Sequence, residues 1–261
     1  MDAESLPRYL ASLPIPALQY LPGTGSTNDI ALQWCEAGAP DGALVIADTQ
    51  TAGRGRASGR RWLTPPGAAL AFSLILRPSA AESQYTGRFS PLAALALTQI
   101  LDKVYHLDAQ IKWPNDVLVA RRKLCGILVE SAWLGDKLQA VVIGVGINIA
   151  SSAVPPVTET LYPATSIQDE LGHPIERQEL LAEVLYTLFA WRPRLNSEDF
   201  FQAWEQYLAY RGEWVRIEEN EQPPLTGVVL GLDRQGNLRL RLANGEEHSV
   251  VVGDVHLRLA E

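Results

Sequence analysis

Between residues 109 and 150 four β-strand patterns follow one another with no room for a helix between them: AQIKW, DVLVA, KLCGILVES and LQAVVIGVGINIA. Short apolar runs rich in Val and Ile, bounded by turn residues, are strand signals. The link at 120–122 is short enough for a hairpin. Parallel neighbours need a crossover of a dozen or more residues, so strands this close in sequence build an antiparallel or mixed sheet, not a doubly wound one. The chain is therefore read as α+β, a mixed or antiparallel sheet with helices.

The same periodicities place the other elements. Residues 29–36 have helical spacing, and any of Ser26, Thr27 and Asn28 suits the cap. LVIAD (44–48) and 68–76 read as buried strands, while 91–105, 177–192 and 198–209 read as helices. Residues 1–20 form a short lead-in and 151–163 a proline-rich loop. After Arg211 short alternating strands take over, separated by turns such as 234–237 (RQGN) and 244–245 (NG). They predict a small β-barrel resembling an SH3 domain. The expected domains are 1–210 and 211–261.

Composition excludes several classes of function. A net charge of −8 argues against nucleic-acid binding, which relies on clustered Lys and Arg. No apolar run reaches the length of a membrane span, and the first twenty residues lack a signal-peptide pattern. No membrane association is expected, and cytoplasm is the expected location. Cys35 and Cys125 lie far apart, and four histidines form no cluster with them, so no disulfide framework and no protein-held metal is expected. Cys125, between Leu124 and Gly126, reads as a packed side chain.

Charge distribution says more than the total. Residues 49–81 contain no acid, yet hold Arg54, Arg56, Arg60, Arg61 and Arg77. An acid-free arginine segment in an acidic chain suits a small anion. Its glycines, Gly53, Gly55 and Gly59, let backbone N–H groups approach a ligand. No Gly-Lys-Ser/Thr follows, so this is not a Walker loop. Trp62 is either core or an aromatic platform beside the arginines.

Three further segments carry candidate chemistry. Gly25-Ser26-Thr27-Asn28-Asp29 is a helix cap or a polar ligand contact at a helix N-terminus. In Lys112-Trp113-Pro114-Asn115-Asp116 the proline fixes a turn that projects Asn115 and Asp116 from a strand end. In KLCGILVE (123–130) a lysine enters an apolar strand, a costly position unless it meets an anion. Gly144 and Gly146 of GVGIN thin a sheet face, as a bulge or as room for a flat ligand.

Taken in order, GSTND, the 50–56 stretch, KWPNDV, KLCGILVE and GVGIN resemble the biotin–protein ligase family. The resemblance implies a catalytic domain like that of class II aminoacyl-tRNA synthetases. It implies ATP and biotin as substrates, with magnesium held mainly by the ATP phosphates. Biotin would be activated as its adenylate and passed to a lysine of a biotin carboxyl carrier domain, that of acetyl-CoA carboxylase. By the same resemblance, Arg56 and Lys123 are the catalytic residues. The biotin site draws on Ser26, Thr27, Asn28, Gln50, Gly53, Arg54, Gly55, Arg56, Lys123, Gly126 and Gly144. The adenylate side draws on Arg56, Arg60, Trp62, Asn115, Asp116, Lys123 and Asn148, and segment 53–62 is expected to close over it.

Two departures qualify the match. The family's GRGRxGRxW is one residue longer here, which leaves Arg60 and Arg61 as alternatives, Arg60 preferred because it follows the aligned glycine. Only about twenty residues precede the matching region, so a repressor-type DNA-binding domain is not expected. The oligomeric state is left open, a homodimer included. The competing readings are a lipoate–protein ligase, a non-catalytic biotin or nucleotide sensor, and a pure interaction protein.

Overall fold

The strand-rich middle of the chain supplies four neighbouring strands of a seven-stranded sheet, from its central strand to one edge. The protein is described by a computed structural model covering residues 1, 4–56, 59, 61–156, 163–219, 223–251 and 255–259. Its first strands are β1 (Leu18–Leu21), β2 (Ala43–Ala47), β3 (Gln50–Arg54), β4 (Arg61–Thr64) and β5 (Ala69–Leu76). Next come β6 (Ala109–Lys112), β7 (Asp116–Val119), β8 (Arg122–Leu134) and β9 (Lys137–Asn148). The sheet order is β1-β2-β5-β9-β8-β7-β6, with β1–β2 parallel and all other pairs antiparallel. The single parallel pair exists because helix α2 (Thr27–Glu36) crosses over between β1 and β2. At the β7–β8 turn Ala120 and Arg121 both take positive φ, 47° and 61°, the geometry a two-residue hairpin needs.

Alternation along the strands divides the core. Leu44, Leu70, Phe72, Ile143 and Val145 face the larger helical layer, which includes α3 (Phe89–Lys103), α5 (Arg177–Trp191) and α6 (Glu198–Gln206). Helix α3 is apolar almost all round and accordingly buried. On the other face Val45, Ile75 and Val142 pack against Ala31 and Cys35 of α2. Further along that face two cross-strand rows hold small residues: Ser73–Gly144, which ends on Leu128, and Ala71–Gly146–Gly126. Filling such positions with large aliphatics would contribute about 1.5–3 kcal/mol each. The sheet forgoes that here, and a cleft results.

Several sequence expectations need correction. The lead-in 1–20 contains helix α1 (Leu6–Leu10), whose Leu6 and Leu10 are buried, and edge strand β1. The arginine-rich segment is not a plain loop, because β3 and β4 pair antiparallel as a separate two-stranded sheet. Its tip, including Ala57, Ser58 and Arg60, lies outside the described residues. A 3₁₀ turn (Glu82–Arg88) leads into α3, which starts at Phe89, before Pro91, a position proline tolerates in a first turn. Helix α4 (Ile167–Leu171) was not foreseen; it has a Ser166 cap and ends on Gly172 at φ 77°. The last helix stops at Gln206. Among the described residues no helix is long and apolar enough to cross a membrane.

Beyond residue 211 five strands, β10 (Trp214–Glu219), β11 (Leu225–Leu232), β12 (Leu238–Leu242), β13 (Glu247–Val250) and β14 (Val255–Leu259), form an SH3-like antiparallel sheet ordered β13-β12-β11-β10-β14. Among the described residues its edges β13 and β14 are not seen to pair. The β11–β12 turn docks onto the larger domain. Trp113 donates from its indole to the Gly236 carbonyl (3.1 Å). Buried Arg88 donates to the carbonyls of Arg234 (2.8 Å) and Leu195 (3.0 Å). Asp233 shapes that turn by accepting from the N–H groups of Gln235 and Asn237.

Candidate active site

The cleft opens where the two small-residue rows meet the N-terminus of α2 and the β3–β4 hairpin. It encloses about 510 Å³ of empty space, part of it open to solvent. Ser26, Thr27, Asn28, Gln50, Gly53, Arg54, Gly55, Arg56, Trp62, Asn115, Lys123, Gly126 and Gly144 all line it. Another groove, beside Tyr9, Glu183 and Tyr186, gathers none of the motif residues.

Each wall follows from local sequence. Ser26 is the N-cap of α2, but its hydroxyl makes no capping bond. That role falls to Gln50, whose Oε1 accepts from the Thr27 N–H at 2.7 Å. Gly144 carries no Cβ where one would overlap the Asn28 carboxamide. At Gly146 and Gly126 the same absence admits the indole of Trp62. Trp62 thus lies on the glycine row, and among the described residues its buried Nε1 has no hydrogen-bond partner. Gly53 allows the hairpin to close against the Trp62 backbone.

Cations ring this cleft. Lys123 Nζ stands 2.6 Å from Asp116 Oδ1, so the lysine in the apolar strand meets an anion. Lys123 also lies over the Trp62 ring at 6.0 Å. Arg54 is held by Asp29 (2.5 Å) and Glu130 (3.0 Å), and the Asp29 hydrogen bond in particular raises its pKa. Arg56 lines the cleft beside them. Burial pushes the Cys125 thiol well above its usual range, so it offers no thiolate.

Not every residue proposed from sequence reaches the cleft. Asp116 does not line the cleft; its carboxylate pairs with Lys123, which does. Asn148 is buried away from it, donating to the Thr165 carbonyl at 3.0 Å. Arg60 lies outside the described residues, while Arg61 pairs with Arg54 across the hairpin. Arg77 serves structure instead, donating to the carbonyls of Cys35 and Ala39 where α2 ends. Sequence reasoning missed Ser73, Asp29 and Glu130. Ser73 was visible as the one polar residue inside ALAFSLIL, and Glu130 closes the KLCGILVE motif.

The chain belongs to the biotin/lipoate A/B protein ligase family: residues 20–148 match that family and 211–258 match the biotin protein ligase C terminal domain. Within that family the similarity points to its biotin branch. A biotin--[acetyl-CoA-carboxylase] ligase from Paracoccus denitrificans is 37% identical over 231 residues, covering 86% of this chain and 94% of that protein. The bifunctional ligase/repressor BirA of Bacillus subtilis is 35% identical, covering 84% and 68% respectively. The biotin protein ligase from Aquifex aeolicus in complex with biotin and ATP has the same fold, with TM-score 0.79 at 27% identity, covering 94% of this chain and 100% of that one.

Proposed function

We propose that this protein is an ATP-dependent biotin–protein ligase. The observation that carries the reading is convergence: segments around residues 26, 50, 54, 62, 115, 123 and 144, far apart in sequence, line one cleft. In the first step an oxygen of the biotin carboxylate attacks the α-phosphorus of ATP and pyrophosphate leaves. In the second a carrier lysine amine attacks the acyl carbon, loses its proton, and AMP leaves. Neither step needs a nucleophile from the protein. What they need is orientation and stabilisation of phosphoryl charge.

Arg56 and Lys123 supply that charge. Ser26, Thr27 and Gln50 read the ureido ring, and Gly126 and Gly144 let the bicycle lie flat. Trp62 and Asn115 serve the nucleotide side together with Arg60, while Asp116 keeps Lys123 in place and Asn148 supports the strand end. The hairpin 53–62 closes over the adenylate and excludes water. Magnesium would be held mainly by the nucleotide phosphates, with few ligands from the protein. The acceptor is a biotin carboxyl carrier domain, the acetyl-CoA carboxylase one by analogy with the Paracoccus relative.

The test is incubation with magnesium, ATP and either biotin or lipoate, reading pyrophosphate release and the acyl-adenylate by mass. Biotinyl-adenylate formed with biotin alone supports the reading. Lipoyl-adenylate moves the chain to the lipoate branch. Binding with neither product makes it a sensor.

A further inference from the structure

Four side chains, two lining the cleft and two behind it, form a hydrogen-bond chain whose direction can be derived by counting hydrogens. At one end is the Glu130 carboxylate, which can only accept. Asn28 therefore turns its amide nitrogen to Glu130 at 2.7 Å and gives its other hydrogen to the Leu128 carbonyl at 3.3 Å. The Asn28 oxygen is left facing Ser73 Oγ at 2.6 Å, and an amide oxygen only accepts. The single Ser73 hydrogen is thereby committed to Asn28. Ser73 Oγ is also 2.8 Å from Thr27 Oγ1, so that hydrogen bond is donated by Thr27. The alternative acceptor for the Thr27 hydroxyl, Gln50 Oε1, is farther away at 3.1 Å and already takes the Thr27 N–H. Thr27, 3% exposed and lining the cleft, presents only lone pairs to a ligand.

We infer that Ser73 and Glu130 are positioning residues that set substrate specificity: they polarise Thr27 so that the cleft accepts a ligand donating an N–H at that point and rejects one presenting only an oxygen. Neither residue lines the cleft. Every bond in the chain runs outward from the ligand, so each donor strengthens the next. Resting on the biotin reading above, the donor is an N–H of the cyclic urea. A dithiolane, with no donor, forfeits the contact and leaves the chain without its terminal hydrogen bond.

The experiment compares biotin with its two cyclic carbamate isosteres, in which one or the other ureido N–H is replaced by oxygen. Pyrophosphate release gives kcat/KM for each with the wild-type protein, Ser73→Ala and Glu130→Gln. In the wild type one carbamate is expected to fall on the order of a hundredfold below biotin, because two lone pairs then face each other. Ser73→Ala removes the nearer acceptor and leaves the Thr27 hydroxyl only the longer bond to Gln50 Oε1, from which it can turn and donate, and Glu130→Gln lets Asn28 reverse. In both, discrimination should shrink to about tenfold or less. Loss of the Arg54 anchor on Glu130 would raise KM for biotin and carbamate alike, so it cannot mimic this narrowing. Unchanged discrimination in both variants, or equal losses for both ligands, overturns the inference. Absence of biotinyl-adenylate from the wild-type protein overturns the biotin reading itself, and this inference with it.

Discussion

Replacing Lys123 with alanine separates the chemical role of this residue from its structural one. Lys123 Nζ is 2.6 Å from Asp116 Oδ1, with the side chains 31% and 13% exposed. Exposed pairs contribute about 0.2–1 kcal/mol, whereas breaking a fully buried pair costs about 3–5 kcal/mol. Partial exposure puts this pair between those limits, and Lys123→Ala should lose about 1–3 kcal/mol of stability by leaving Asp116 unpaired. Adding Asp116→Asn removes the orphaned charge and should recover most of it. The chemical loss should not be recovered. A cation placed on developing phosphoryl charge is worth on the order of 10²–10³ in rate, so single-turnover adenylate formation should drop by that factor in both variants. Calorimetric biotin affinity should fall less, because the ureido end of the cleft is untouched. A first-step rate equal to wild type would refute the assignment. Equal losses in binding and rate would show instead that Lys123 acts on the ground state.

Other expectations follow from single contacts. Gly144→Ala places a Cβ 2.8 Å from the Asn28 Cγ, and should raise KM for biotin by about tenfold or more, since a side-chain wall of the slot must shift; an unchanged KM contradicts that geometry. Trp113→Phe removes the donor to the Gly236 carbonyl, so thermal or urea unfolding should show a loss of about 1 kcal/mol, and no loss would mean the domain contact is replaced by water. Glu82 provides a pH test. Burial pushes its carboxyl up, but the Arg192 hydrogen bond and charge, with the Ser79 N–H, outweigh this and hold it below its ordinary range. A depressed folded pKa stabilises above the unfolded value, and that stability is lost as pH falls through the folded value. Arg192→Ala should therefore flatten the acid limb of a Tm-versus-pH curve; an unaltered slope would count against the pair.

How much could be read from the chain depended on whether the signal was local. Periodicity found the strands from 109 to 150 because each side chain's face is dictated by its neighbours two residues away. Even the β7–β8 hairpin followed from link length alone. β1 was missed because four half-buried residues, LQYL, carry little pattern, and only the crossover through α2 makes them a strand. The β3–β4 hairpin was hidden by glycines and arginines, which read as loop until cross-strand pairing is known.

For the site the division is similar. The residue types in the motifs, namely a cationic glycine-rich segment, a lysine in an apolar strand and paired glycines, specify the kind of ligand, an anion with a flat ring, because charge and missing Cβ atoms are properties of single residues. Partnership is not such a property. Only the folded chain brings Asp116 to Lys123, and Asp29 and Glu130 to Arg54, and directs Asn148 and Arg77 to structural carbonyls. The direction of the Thr27–Ser73–Asn28–Glu130 chain is the clearest case. Each of those groups but Glu130 can both donate and accept, and their polarity is decided by a carboxylate 102 residues from Asn28, brought within 2.7 Å by the register of a sheet.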